Sequence, residues 1–333
     1  MNSMERVLAR LAGKPVDRIP NLNIFMMMPA RQLGVPYGTY VSDYRRLVDG
    51  VLYCREQFDT DCLCVISDPM RETEGMGAAV VVPEDNVPYS PTPFVKTVAD
   101  IAKVRVAEAS SCRRMEDRLR AVEALRRESG GEIPVIGWVE GAFAESCDLM
   151  DISRVMMNIL DEPEAMHELL EICTRQAVSF ALEQVRCGAD FIGVGDAAAS
   201  LISPAMYEEF VLPYEQELIR AIHGAGARVK LHICGNITAK LPLIAQTGAD
   251  IVDCDHMVSM ERAAAVLPAG CVANGNIDPV EFLSGSPQRM EELVRQCAAV
   301  PGVMVSSGCE IPRDTDPQNV KHMVETLRRC TPL

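Results

Sequence analysis

The amino-acid sequence predicts an α/β fold, a single (β/α)8 TIM barrel with an N-terminal helical extension, for three reasons. Short strand-like runs alternate with long amphipathic patterns, there are eight such runs, and reactive side chains follow nearly all of them. Alternation of this kind is typical of a parallel sheet covered by helices, and eight strands close such a sheet into a barrel. The eight runs are residues 19–24, 62–66, 134–139, 191–194, 229–232, 251–254, 272–275 and 303–306.

Helical patterns fill the gaps between these runs and carry the expected end signals. Pro163 and Pro204 stand where the first helical turn begins, a position that tolerates the missing N–H of proline. Gly188 and Gly224 follow two of the patterns as predicted C-terminal caps. No repeat or linker interrupts the chain, so we expect residues 1–333 to form one domain. The main helical patterns cover residues 4–11, ahead of the barrel, and 112–128, 163–187 and 204–223.

Composition and charge exclude several classes of function. The chain is 48% hydrophobic but only 5% aromatic, so aliphatic side chains and 18 Met must fill its core. A net charge of −15 offers no basic excess to neutralise phosphate groups, which argues against nucleic acid or an anionic membrane as partner. The chain has no membrane-spanning apolar run, and its N-terminus lacks the signal-peptide pattern. We therefore expect a cytoplasmic protein that handles metabolites.

Three residues form the most specific chemical feature of the sequence. His232 and Cys234 end the fifth strand-like run, and residues two apart in a strand face the same side. Cys309 follows the eighth run, so a third ligand could arrive from another strand, as in open catalytic zinc sites. Most of the 13 Cys would be small core residues in a reducing cytosol, and a buried His with two packing Cys is the alternative interpretation. Their joint position at strand ends favours zinc.

Other polar residues are predicted at the same barrel mouth, where such barrels carry their active sites. Glu140 and Asp196 are candidates for a catalytic base or a fourth zinc ligand, although each could instead bond a strand end or cap a helix. Asn23, Asn274 and His256 are candidate cofactor-binding residues, and a solvated loop is an equal alternative for His256.

The ligand set itself indicates a type of chemistry. Zinc held by one neutral imidazole and two thiolates has roughly zero net charge and is soft enough to bind a further sulfur. A substrate thiol bound there would lose its proton and remain a nucleophile. The pattern therefore indicates zinc-activated alkyl transfer to sulfur.

Over most of its length the chain resembles the uroporphyrinogen decarboxylase superfamily. Residues 6–20 resemble the start of the family, 195–214 its central signature and 274–279 its late one. The resemblance implies a single (β/α)8 barrel. True decarboxylases have an arginine-rich clamp for carboxylates and a Gly-His-Gly near the last strand. Here Val35 replaces the second arginine of the clamp, and residues 307–312 read Ser-Gly-Cys-Glu-Ile-Pro.

The His-x-Cys pattern with a distant Cys is instead similar to the methylcobamide:coenzyme M methyltransferases and related corrinoid methyltransferases. In that branch the zinc ligands match His232, Cys234 and Cys309. The resemblance implies methyl transfer between a corrinoid, carried on a partner protein, and a zinc-activated acceptor such as a coenzyme M-like thiol or a folate.

Three alternatives stay open at the level of sequence. The enzyme could serve the donor side, demethylating a methoxyaromatic or a methylated amine; it could be a decarboxylase; or it could be a non-catalytic binder of tetrapyrrole or corrinoid protein. A role in the one-carbon metabolism of methanogenesis or acetogenesis follows from the first interpretation. Assembly into a homodimer is also left open.

Overall fold

Seven parallel strands form the centre of the molecule in this computed structural model, which describes residues 1–332. Each strand pairs with the next one along the chain, so spatial order equals sequence order. Helices connect the parallel neighbours, which confirms the predicted TIM-barrel-like α/β fold. The strands are β1 (Leu63–Cys64), β2 (Val135–Glu140), β3 (Phe191–Gly195), β4 (Arg228–His232), β5 (Ile251–Cys254), β6 (Val272–Ile277) and β7 (Met304–Ser307).

The helices include an N-terminal group that precedes β1, as predicted. Three short 3-10 helices cover Val98–Lys103, Ala109–Ser111 and Ala197–Leu201. The α-helices are α1 (Ser3–Leu11), α2 (Met28–Leu33), α3 (Tyr37–Tyr40), α4 (Tyr44–Phe58), α5 (Met70–Gly75), α6 (Arg113–Ser129), α7 (Ala142–Met150), α8 (Ile152–Asp161), α9 (Pro163–Arg186), α10 (Pro204–Phe210), α11 (Leu212–Gly224), α12 (Leu241–Ile244), α13 (Met260–Val266), α14 (Pro279–Ser284), α15 (Pro287–Ala298) and α16 (Pro317–Arg329). None of these helices is long and apolar enough to cross a membrane.

The single helix predicted at residues 204–223 is in fact two helices, α10 and α11. Val211 interrupts them with φ −127° and ψ −56°. Pro213, in the first turn of α11, has no N–H to continue the hydrogen bonding of α10, so the chain restarts there. The predicted cap Gly224 is still helical, and Gly226 takes the left-handed conformation instead, with φ 88°.

The strand predicted at residues 19–24 is also wrong as a regular strand. Ile24 forms one isolated parallel bridge beyond the end of β7. Pro20 has no N–H to donate, and the N–H of Asn21 bonds the carboxylate of Asp61 at 2.9 Å rather than a neighbouring strand. The segment nevertheless occupies the position of an eighth strand in the barrel, between β7 and the residues that lead into β1. The Asp61 N–H donates to the carbonyl of Asn21, and the carbonyl of Pro20 accepts from β7.

The barrel interior changes from apolar to polar along its strands. A separate apolar cluster fills the N-terminal end of the barrel and is covered by α1. Further along β2 and β4 the inward side chains are Trp138, Lys230 and His232, which are also buried. The chemically active groups are therefore confined to the C-terminal mouth. The apolar cluster consists of Val7, Leu11, Leu22, Cys62, Ile136, Phe191, Ile251, Val272 and Met304.

Candidate metal centre

Three potential metal ligands converge at the barrel mouth, as the sequence predicts. His232 is the last residue of β4, Cys234 follows it by two, and Cys309 follows β7 by two. His232 Nε2 lies 3.1 Å from Cys234 Sγ and 3.6 Å from Cys309 Sγ, and the two sulfurs are 3.7 Å apart. The sharp turn at Gly235, with φ 81°, begins immediately after Cys234 and is held by a bond from its N–H to Asp255.

These distances fit the three corners of a tetrahedral zinc site. With ordinary zinc–sulfur and zinc–nitrogen bonds, two sulfur ligands stand about 3.8 Å apart and a sulfur and a nitrogen about 3.6 Å apart. Two of the three separations match, and the distance from His232 Nε2 to Cys234 Sγ is shorter. Three protein ligands leave the fourth corner for an exchangeable group, which is typical of catalytic rather than structural zinc.

The opposite nitrogen of the imidazole ring is held by Asp253. His232 Nδ1 lies 3.1 Å from Asp253 Oδ2, because His232 on β4 is paired in register with Asp253 on β5. Asn274 on β6 donates to Asp253 Oδ1 at 2.8 Å, and Lys230 donates to Oδ2. Burial alone would raise the pKa of Asp253, but Lys230, His232 and Asn274 lower it to about 2. The carboxylate is thus ionised and fixes the ring.

The ligand groups share protons with one another. The hydrogen bond between the two thiols lowers the pKa of Cys309 and raises that of Cys234. Burial lowers the pKa of His232, but the bonds to Asp253 and Cys309 outweigh burial and raise it to about 9. A divalent cation binds these atoms in competition with the protons, which are released as it enters.

A cavity of about 350 Å³ opens directly onto the three ligands. Trp138 and Glu140 from β2 and Glu310 after Cys309 form part of its wall. Apart from these, most of the wall is apolar, so a small molecule entering the cavity exchanges water for hydrocarbon contacts around the metal position. The remaining lining residues are Ile24, Met26, Ile66, Asp68, Pro69, Gly195 and Ala197.

Glu140, a predicted catalytic residue, lies in this cavity. Its Oε1 accepts the indole N–H of Trp138 at 3.2 Å and lies 3.6 Å from the guanidinium of Arg71. Burial, followed by repulsion from Glu72, raises the pKa of Glu140 well above its usual range. A carboxyl of this kind is a much stronger base than a solvent-exposed glutamate.

Asp196, the second predicted catalytic residue, lies elsewhere. Its Oδ1 accepts the N–H of Ala144 in the first turn of α7 at 2.8 Å. Gly141, just before α7, packs so closely that an added Cβ would lie 2.3 Å from Asp196 Oδ2. Burial raises the pKa of Asp196 to about 7. Asp196 does not contribute to the wall of the metal cavity.

The three candidate cofactor-binding residues occupy separate positions. Asn23 accepts the N–H of Ser307 at 2.7 Å and secures β7. Asn274 supports Asp253, as described above. His256 Nδ1 lies 2.7 Å from Asp255 Oδ1, and the ring faces another cleft beside α13 and α15. None of the three lines the metal cavity within the described chain.

Sequence patterns did not assign the two residues that orient the site most directly. Asp253 ends a predicted strand, which marks it as a mouth residue, but its role depends on the β4–β5 register. Trp138 looks like an ordinary core residue in the sequence, yet its N–H bonds Glu140. The alternation of β2 was the available signal, since Trp138 and Glu140 share the inward face.

Comparison with known proteins agrees with this architecture. The family model described as uroporphyrinogen decarboxylase (URO-D) matches residues 2–330. The chain belongs to the uroporphyrinogen decarboxylase family. Membership alone does not fix the reaction, because relatives named for different activities match the chain about equally well.

Two relatives illustrate this. The uroporphyrinogen decarboxylase of Carboxydothermus hydrogenoformans is 28% identical over 288 residues, covering 82% of this chain and 79% of the relative. The methylcobamide:CoM methyltransferase MtbA of Methanosarcina acetivorans is 27% identical over 332 residues, covering 97% of each chain. The chain is therefore a URO-D family protein that also resembles a methyltransferase of the MtbA type.

Among solved structures, a methyltransferase from Methanosarcina mazei superposes on the chain with a TM-score of 0.91. It is 21% identical and the match covers 99% of both chains. At this identity the likeness shows the fold, which extends over the whole described chain.

Proposed function

We propose that this protein is a zinc-dependent methyltransferase that moves a methyl group from a corrinoid, carried on a partner protein, to a small acceptor thiol. The observation that carries the proposal is the cluster of His232, Cys234 and Cys309, with near-tetrahedral spacing, at the wall of a cavity. A zinc ion held by these residues supplies Lewis acidity, which lowers the pKa of a thiol placed beside it.

The methyl transfer conserves atoms and electrons without any further reactant. The acceptor sulfur loses its proton and attacks the methyl carbon, forming the carbon–sulfur bond. The cobalt–carbon bond breaks, and its electron pair remains on cobalt as Co(I). Glu140 lies in the cavity wall and accepts the thiol proton. Burial and repulsion from Glu72 raise the pKa of Glu140 and so increase its basicity.

Asp253 has a supporting role in this scheme. It binds His232 Nδ1 at 3.1 Å and holds the ring so that Nε2 faces the cysteines. Lys230 balances the carboxylate charge in the barrel interior. The ligands are thereby oriented before substrate arrives, which reduces the reorganisation needed for reaction.

Charge in the cavity disfavours decarboxylation of a polycarboxylate. Glu140, Glu310 and Asp68 contribute carboxyls to the wall, and no Lys or Arg does so within the described chain. A substrate with several carboxylates would be desolvated next to these groups without a compensating cation. A neutral or cationic small molecule fits this cavity better.

Metal analysis combined with an assay tests the proposal. We expect the purified protein to hold about one zinc per chain. The variants Cys234→Ala and Cys309→Ala should lose it, whereas Cys330→Ala, whose thiol near the C-terminus donates to the Thr326 carbonyl, should retain it. Methylcobalamin with a thiol should give the methyl thioether, detected by mass spectrometry, and only with zinc-loaded protein.

Different outcomes would support different functions. Methylation of cob(I)alamin by a methoxyaromatic or a methylated amine, with no transfer to thiols or folates, would assign the enzyme to the donor side. Transfer to a folate alone would retain the acceptor side but replace the thiol. Metal-independent release of carbon dioxide from uroporphyrinogen would contradict methyl transfer altogether, and a retained zinc in Cys309→Ala would contradict the ligand assignment.

A further inference from the structure

A second chamber of about 550 Å³ lies next to the metal cavity. Both spaces share Pro69, Glu140 and Ala197 in their walls, so Glu140 stands between them. Asp148 of α7 and Asp151, before α8, line the second chamber. A ligand with one end at the metal ligands that extends past Glu140 would reach the chamber beside α7.

In the part of the chain that the structure describes, the walls of the two chambers carry carboxyl groups and lack the Lys and Arg side chains that bind anions. Apart from His232 and the thiols, every ionisable side chain in their walls is a carboxyl, within the described residues. Asp68 is compensated by Arg114, whose guanidinium lies 2.6 Å away, and Asp151 caps α8 by accepting the N–H of Ser153. Glu140 bonds Trp138.

Among residues 1–332, two of these carboxyls have no hydrogen bond or ion pair: Glu310, whose Oε2 is buried in the metal cavity, and Asp148. Asp148 is the one that lies in the second chamber, where it is only partly exposed. Burial first, then repulsion from Glu72 and Asp68, raises its pKa to about 8. The neighbouring acids outnumber the cations, because Glu72 shares Arg71 with Glu140. A positive charge in the chamber would relieve this imbalance.

We propose that the acceptor thiol carries an ammonium group, which pairs with Asp148 in the second chamber while the sulfur lies at His232, Cys234 and Cys309. This inference rests on the proposed methyl transfer to a thiol and names the class of acceptor. An acceptor with a sulfonate or carboxylate tail is disfavoured, since its charge would be desolvated beside carboxyls with no cation to meet it. The ammonium group binds only and takes no part in bond making.

Length-matched thiols test the inference. Aminoalkanethiols, hydroxyalkanethiols and mercaptoalkanesulfonates of increasing chain length are compared as acceptors from methylcobalamin with the zinc-loaded enzyme. We expect kcat/KM to fall in the order ammonium, hydroxyl, sulfonate, by about tenfold or more between the ends of the series. The difference should be largest at the chain length that reaches Asp148.

Two substitutions at Asp148 localise the effect. Asp148→Asn should lower the ratio of kcat/KM for the aminothiol to that for the hydroxythiol by about tenfold. Asp148→Lys should move the preference towards the sulfonate. The matched control Asp161→Asn, at the exposed end of α8, should leave the ratio unchanged. Zinc content, measured for each variant, distinguishes a change of specificity from a loss of the metal centre.

The remaining outcomes contradict either the proposed methyl transfer or the ammonium group of the acceptor. If the wild type methylates none of the thiols, the proposed function fails and the inference fails with it. If it methylates hydroxythiols or sulfonates as well as aminothiols, or if Asp148→Asn leaves the ratio intact, the inference alone is wrong. Transfer from tetramethylammonium to cob(I)alamin that is lost in Asp148→Asn would assign the cation to a methyl donor and overturn the acceptor assignment.

Discussion

His232 Nδ1 lies 3.1 Å from Asp253 Oδ2, on the ring nitrogen opposite to the one that faces the two cysteines. Because a carboxylate accepts from Nδ1–H, the lone pair of Nε2 is left for a metal. Asn274 and Lys230 in turn hold the Asp253 carboxylate. The orientation of a metal ligand therefore depends on residues that bind no metal.

We expect Asp253→Asn to weaken zinc binding by about 10- to 100-fold, because the neutral amide holds the imidazole less firmly and makes it less basic. Competition with a chromophoric chelator at constant pH measures this affinity. Asp314→Asn, an exposed carboxylate, provides the matched control and should bind zinc as the wild type does. Circular dichroism verifies that the variant is folded; an unchanged affinity in a folded Asp253→Asn would refute the supporting role.

Replacing Glu140 tests the proposed proton acceptor. Glu140→Gln keeps the size of the side chain and its bond to Trp138 but cannot accept a proton, so we expect a methyl-transfer rate about 100-fold lower. The zinc content should not change, since Glu140 is not one of the three clustered ligands. Single-turnover kinetics with methylcobalamin measure the rate. A loss of zinc in this variant would instead identify Glu140 as a fourth ligand.

Strand alternation explains which parts of the site the sequence could predict. Inward positions on β3 are Phe191, Gly193 and Gly195, as the contacts of the two glycines with Trp138 show, so Asp196 faces away from the barrel axis. On β2 the same alternation places Glu140 inside. In the sequence, Asp196 and Glu140 are both carboxylates at the end of a predicted strand. Only the alternation of inward and outward positions along each strand distinguishes the inward Glu140 from Asp196.

Other features depend on long-range register that one sequence does not contain. The pairing of His232 with Asp253 follows from the alignment of β4 on β5. The irregular eighth segment depends on a bond between Asn21 and Asp61, 40 residues apart. By contrast, the ligands His232, Cys234 and Cys309 could be found from local spacing, because strand ends of a parallel barrel meet at one mouth.

The raised pKa of Asp148, about 8, gives a pH-dependent stability. A carboxyl whose pKa is higher in the folded than in the unfolded state contributes stability that is fully present below the unfolded pKa, about 4, and lost as pH rises to about 8. Asp148→Asn has no such dependence at this position. Relative to the wild type, it should therefore gain on the order of 5 kcal/mol between pH 4 and pH 8.5. Urea unfolding at both pH values measures this difference, and Asp161→Asn is the control. If Asp148→Asn differs from the wild type by the same free energy of unfolding at both pH values, the raised pKa of Asp148 is contradicted.

Asp61 closes the barrel where a regular strand is missing, so its removal should destabilise the fold. It is fully buried and accepts from Arg6 at 2.7 Å, from Arg18 at 2.6 Å and from the N–H of Asn21 at 2.9 Å. Asp61→Asn removes the negative charge and leaves two guanidinium groups without their common partner. Breaking a buried ion pair in this way costs about 3–5 kcal/mol.

Urea unfolding of Asp61→Asn should accordingly show a midpoint well below that of the wild type. Asp49→Asn, at an exposed position on α4, should shift the free energy of unfolding by no more than about 0.5 kcal/mol. Because Asp61 lies at the N-terminal end of the barrel, zinc content in the folded variant should remain that of the wild type. Loss of zinc without loss of stability would mean that the irregular segment positions Cys309 through Ile24 rather than closing the barrel.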